Sequence, residues 1–193
     1  NYYYLINYIM NTIVLVNNNY DLKLRMYFLK YYKDHFNLSG LKNKCKDFTQ
    51  PILFLLNPLR RFKLTIQKLI NEEENLPFES YEEFVEKKMY NDVNLEIFLS
   101  KNKDLFSSQN SYIREKEYSK TIIVIIKDDC IENLLDYLKI ESKEKKIDFS
   151  LKNNTNNIIS NKVLNYVKYQ YSDDYKLLDL INNKPELFKK VIN

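Results

Sequence analysis

Residues 11 to 25 read NTIVLVNNNYDLKLR: an apolar run of strand type, Ile13 to Val16, breaks into three asparagines and a tyrosine and then passes into helix-forming sequence. An uninterrupted run of Ile, Val and Leu suits a strand buried on both faces of a parallel sheet. From Leu22 to Phe36, the residues Leu24, Phe28, Tyr31 and His35 recur at steps of three or four, the spacing of an amphipathic helix. Strand, short loop and helix in that order can grip a phosphate, because the helix N-terminus offers unpaired N–H groups and a partial positive charge.

The same unit recurs twice. PILFLL at 51–56 leads through Asn57 and Pro58 into RRFKLTIQKLI, and TIIVIIK at 121–127 leads into IENLLDYLKI. Alternating strands and helices predict an α/β fold of three layers, a parallel sheet of about four or five short strands between helices. The long segment between the second and third units reads as helices and loops. NEEENLPFES is a polar linker turning at Pro77, and SYEEFVEKKM opens on Ser80 with Glu83 three residues later, a capping box. KNNTNNIISN at 152–161 is a low-complexity loop, KVLNYVKYQYSDDYKLLDLI predicts one terminal amphipathic helix, and NNKPELFKKVIN a short tail. No internal repeat is visible.

The chain of 193 residues is long enough for one domain with its own core. We expect that domain over 10–193, with Met10 read as a start and residues 1–9 as an upstream extension, the alternative being a fragment of a longer chain. Composition, 45% hydrophobic and 29% charged, excludes the disordered class. The one glycine, Gly40, is too few for the turns required, so asparagine must supply the left-handed conformations. Thirty basic residues interleave with 26 acidic ones for a net charge of +4, which predicts a mixed surface and no nucleic-acid patch.

Two distant cysteines, Cys45 and Cys130, and one histidine, His35, cannot make a usual metal site, so no metal is expected. Buried thiols suit a reducing compartment and a cytoplasmic location. No apolar run of about 18 residues exists, so no membrane span is expected. NYYYLINYIM lacks the basic start of a signal peptide.

The order of segments from Met10 to about Leu178, namely a first strand, loop and helix, then FLLNPLRRF, SYEEFV, FSSQNSYI, KDDCIENLLDYLKI and YSDDYKLL, resembles the carbohydrate branch of the PAPS-dependent sulfotransferases. The resemblance implies the sulfotransferase variant of the P-loop nucleoside-kinase architecture. It also implies PAPS as cofactor, a glycan hydroxyl as acceptor of the sulfuryl group, and in-line displacement assisted by a base and by cations on the leaving phosphate. In that family a PKTGGTS-type loop wraps the phosphosulfate, and a RDPVERFLSAY-type motif binds the 3′-phosphate through its leading arginine and its serine.

Both motifs are altered here. FLLNPLRRFKLT keeps Asn57, Pro58, Arg61 and Phe62, while the leading arginine falls on Leu56 and the serine on Leu64. In the first loop the family's lysine falls on Asn18, its glycine region on Tyr20 and Asp21, and its Thr-Ser on Leu22 and Lys23. Tyr20 puts a β-carbon where the backbone should approach an anion, and Asp21 adds a like charge that costs on the order of 1 kcal/mol at 4 Å in water. Cofactor-binding candidates are therefore Asn18, Asn19, Lys23, Arg25, Arg60 and Arg61, with Gln109 and Tyr112 at the acceptor cleft by the likeness of FSSQNSYI to RPQSSYL. Activity is expected to be impaired, and the alternative is an inactive binding or accessory module.

Other groups have simpler explanations. Histidine is a residue type suited to general-base work, but His35 shares its expected helix with Phe28, Tyr31 and Phe36, which favours packing. Glu72, Glu73 and Glu74 read as a solvated run, and Asp128 with Asp129 as caps of the following helix. The 17 tyrosines are spread along the chain, as packing aromatics would be.

Overall fold

The structure is a computed structural model and describes residues 11–14, 27–28, 30–32, 36–39, 50–73, 75–127, 129–142 and 159–193. Among these residues five strands, β1 (Asn11–Val14), β2 (Phe36–Ser39), β3 (Gln50–Leu55), β4 (Ile122–Ile125) and β5 (Lys190–Ile192), form one sheet in the order β2-β1-β3-β4-β5. Every neighbouring pair is parallel, with Val14 opposite both Ser39 and Leu53, Leu53 opposite Ile123, and Ile123 opposite Val191. All carboxyl ends thus lie along one edge, and the winding direction reverses between β1 and β3. Open α/β sheets form their ligand crevice at such a switch point.

The helices are α1 (Pro58–Glu72), α2 (Tyr81–Met89), α3 (Val93–Lys101), α4 (Cys130–Leu138), α5 (Asn161–Gln170) and α6 (Ser172–Asn183), and residues 27, 28, 30 and 31 are also helical. Short 3-10 turns cover Lys103–Phe106, Gln109–Tyr112, Glu115–Lys120 and Pro185–Leu187.

Alternation along the central strands sends side chains to two different cores. Ile52, Phe54 and Leu56 join Ile122, Val124 and Ile126 on one face, under Phe28, Tyr32 and the α4 residues Ile131, Leu134 and Leu135. Leu53, Leu55 and Ile123 face the other way, against Leu177 and Ile181 of α6 and against Ile113 and Phe188. With both faces covered the strands carry no polar alternation, and the expected α/β class holds. A third cluster lies among helices: Phe62, Ile66 and Leu69 of α1, Phe84 and Val85 of α2, Leu95 of α3, and Val163 and Val167 of α5.

Local chemistry explains the boundaries. Ser80 Oγ accepts from Glu83 N at 3.1 Å, and the Glu83 carboxylate reaches back to Glu79 N at 2.7 Å, one residue beyond the usual capping-box partner. That N–H and the Lys87 ammonium, 2.8 Å away, hold the Glu83 carboxyl below its ordinary value, with Lys87 the larger influence. Positive φ occurs among the described residues at Asn75, Asn91 and Lys139, so asparagine does supply two of the three left-handed positions.

Four expectations need correction. The apolar run expected at 13–16 pairs as Asn11–Val14, and Leu15 and Val16 lie outside the described residues. The helix expected to reach Phe36 gives way to β2, which starts at Phe36 and pairs with β1 as an edge strand; FNLS carries no run long enough to signal it. The tail contains β5, whose Lys190–Ile192 completes the opposite edge. The single terminal helix is two helices, broken at Tyr171 with φ −112° and ψ 30°. That break lets Tyr171 and Asp174 both reach Arg61.

Candidate functional site

The junction from β3 to α1 lies beside the switch point and carries FLLNPLRRF, the segment whose resemblance suggested a 3′-phosphate site. Asn57 is the N-cap of α1, and its Oδ1 accepts from Leu59 N at 3.1 Å and from Arg60 N at 3.3 Å. Pro58 has no N–H, and Arg61 N donates to Asn57 O at 2.9 Å. The N–H groups of Leu59, Arg60 and Arg61, which a helix N-terminus could turn towards an anion, are therefore engaged inside the chain.

Arg61 points inward. It lies on the buried stripe of α1 with Phe62, Thr65, Ile66 and Leu69, and is 3% exposed. Its Nη1 donates to Ser107 O, its Nη2 donates to Leu105 O at 3.3 Å, and its Nη1 sits 3.9 Å from Asp174 Oδ2. The guanidinium also lies over the Tyr171 ring, 5.8 Å from its centroid. Asp174 is 1% exposed, and its Oδ1 accepts from Ser108 Oγ and from Asn110 N at 2.8 Å. Burial pushes the Tyr171 hydroxyl up to about 12, Arg61 opposing that shift and Asp174 adding to it.

Gln109 is equally committed. Its Oε1 accepts from Leu56 N at 2.9 Å and its Nε2 donates to Leu56 O at 2.7 Å, so one side chain stands in for a strand partner just past the end of β3. Together these contacts tie residues 105–110 to β3, α1 and α6 across a seam of opposite charges and carbonyl dipoles. Arg61 already faces two carbonyls and a carboxylate. The seam presents no surplus positive charge to a phosphate.

The candidates from sequence thus divide. Arg61 and Gln109 are brought into one buried region but as structural ties. Arg60, next in the chain, is half-buried and has no ion-pair partner among the described residues. Tyr112 ends the Gln109–Tyr112 turn, and its side chain lies outside what is described. Asn18, Asn19, Lys23 and Arg25 lie outside the described residues, as do His35, Cys45, Glu74 and Asp128. Asp129 holds the N-cap position of α4, yet its side chain makes no cap hydrogen bond, a correction to the capping role expected for it.

Asp174 and Ser108 escaped the sequence reading. SDDY looks like an ordinary acidic first turn of a helix, and the partners of Asp174 are 64 and 66 residues away. Among the described residues no group of three or more His, Cys, Asp or Glu is placed to hold a metal. Also among them, no helix is long and apolar enough to cross a membrane. Comparison of the chain with protein families, curated proteins and solved structures finds no match.

Proposed function

We propose that this chain is a sulfotransferase-type α/β domain that has given up PAPS chemistry and serves as a binding or accessory module in a glycan-modifying system. The order of segments supports the family and, with it, the P-loop-like architecture. The observation that carries the loss of chemistry is the fate of Arg61: the cation that follows the NP pair is enclosed by Leu105 O, Ser107 O and Asp174 and is 3% exposed. The engaged N–H groups of α1 point the same way, since a phosphate at that helix would have to displace Asn57.

A retained transferase is the second reading, favoured by Arg60, which keeps some exposure in the first turn of α1 and has no ion-pair partner among the described residues. Sulfuryl transfer from PAPS to a glycan hydroxyl would then leave adenosine 3′,5′-bisphosphate. Titration calorimetry with adenosine 3′,5′-bisphosphate and PAPS, on the protein and on Arg60→Ala, separates the two. No saturable heat at millimolar nucleotide is expected. Micromolar binding that weakens in Arg60→Ala would restore the transferase.

A further inference from the structure

We propose that Arg61, Thr65, Asn110 and Asp174 enclose one ordered water molecule that completes the polar seam between α1, residues 105–110 and α6. Among the described residues, four buried side-chain atoms have no hydrogen-bond partner: Arg61 Nε, Thr65 Oγ1, Asn110 Oδ1 and Asp174 Oδ2. Three of these residues are joined by direct contacts, and the fourth follows on the same helix. Asp174 is the ion-pair partner of Arg61 and accepts from Asn110 N, and Thr65 lies one turn along α1 from Arg61 on the same buried stripe.

Their chemistry matches a single water. Arg61 Nε can only donate, Asn110 Oδ1 and Asp174 Oδ2 accept, and the Thr65 hydroxyl does either. A water accepts from the first, donates to the next two, and takes Thr65 in its remaining position. Buried waters characteristically make about three such bonds to groups that would otherwise be unsatisfied. The Arg61 Nη1 to Asp174 Oδ2 separation of 3.9 Å is too long for a direct hydrogen bond, which leaves Asp174 Oδ2 able to accept one.

Charge excludes the obvious competitors. An anion would meet the Asp174 carboxylate and the Leu105 and Ser107 carbonyls, and a cation would meet the Arg61 guanidinium. A neutral ligand with both donors and acceptors remains. The site stands whether or not the domain binds a nucleotide.

The test is a crystal structure of the full chain at a resolution that shows ordered solvent, with water-to-amide NOE spectra in solution centred on the Asn110 N–H, repeated on Thr65→Val. The expected result is one peak within hydrogen-bond distance of Arg61 and of Asp174 Oδ2, a matching long-lived water contact, and a weaker peak in the folded Thr65→Val protein. Direct pairing of Arg61 with Asp174 Oδ2 and no peak between them would overturn the proposal. So would an ion at the position, or an Arg61 turned to solvent.

Discussion

The sheet core and the polar seam meet at the end of β3 and are stabilised by opposite means. In the sheet, Ile52, Ile122, Ile123 and Val124 are fully buried, and each contributes about 1.5–3 kcal/mol through area removed from water, whichever apolar neighbour it touches. In the seam, Arg61, Gln109 and Asp174 are almost as buried, but each is worth having there only while particular atoms face it. Apolar burial is tolerant and graded. Polar burial is exacting, and losing one partner exposes the full desolvation penalty of the other.

Unequal responses to substitution would sharpen that contrast. Arg61→Met keeps volume but strands Asp174, and should cost about 3–5 kcal/mol of unfolding free energy, measured by denaturant titration. Ile123→Ala in the sheet should cost about 2–5 kcal/mol, while Ile123→Val should cost about 0.5–1.5 kcal/mol, a graded response that no Arg61 substitution should show. If Arg61→Met and Arg61→Lys both proved nearly neutral, the seam would not be what holds this end of the domain.

Gln109→Ala should cost less, about 1–3 kcal/mol, because it leaves the buried Leu56 N–H and carbonyl without the partners they have now. Gln109→Glu separates shape from chemistry: a carboxylate cannot donate to Leu56 O, so it should not restore the loss.

The smallest effect is in pH. The folded state raises the Tyr171 hydroxyl from 10.0 to about 12, chiefly by burial, and burial also raises Tyr166. A group raised on folding contributes fully below its unfolded value and loses that contribution as pH rises through its folded value. Stability should therefore hold up to about pH 10 and decline towards pH 12. Phenolate absorbance should show these tyrosines ionising later than in the unfolded chain, and Tyr171→Phe should flatten the decline. Titration of all tyrosines together near pH 10 in the folded protein would contradict the burial of Tyr171.

What the sequence revealed follows the same division. PILFLL and TIIVIIK announced β3 and β4 because a strand buried on both faces needs nothing but a short apolar run. Ser80 announced a helix start because capping acts within three residues. FNLS and KVI were too short and mixed to signal the edge strands β2 and β5. The seam was hidden for a different reason: Arg61 bonds to residues 44 and 46 positions away, and no local pattern records such partners. From sequence Arg61 looked like a phosphate ligand, since a cation near a helix start reads alike whether it faces out or in.

The central claim is that Arg61 and Asp174 form one internal unit, and a double-mutant cycle on unfolding free energy with Arg61→Met, Asp174→Leu and the pair tests it most directly. Each single change should cost several kcal/mol, and the double variant should be far more stable than their sum, near the parent protein, because no buried charge is left alone. Losses that add to within about 0.5 kcal/mol would mean that the two residues act independently, and Arg61 would again be a candidate ligand for an anion.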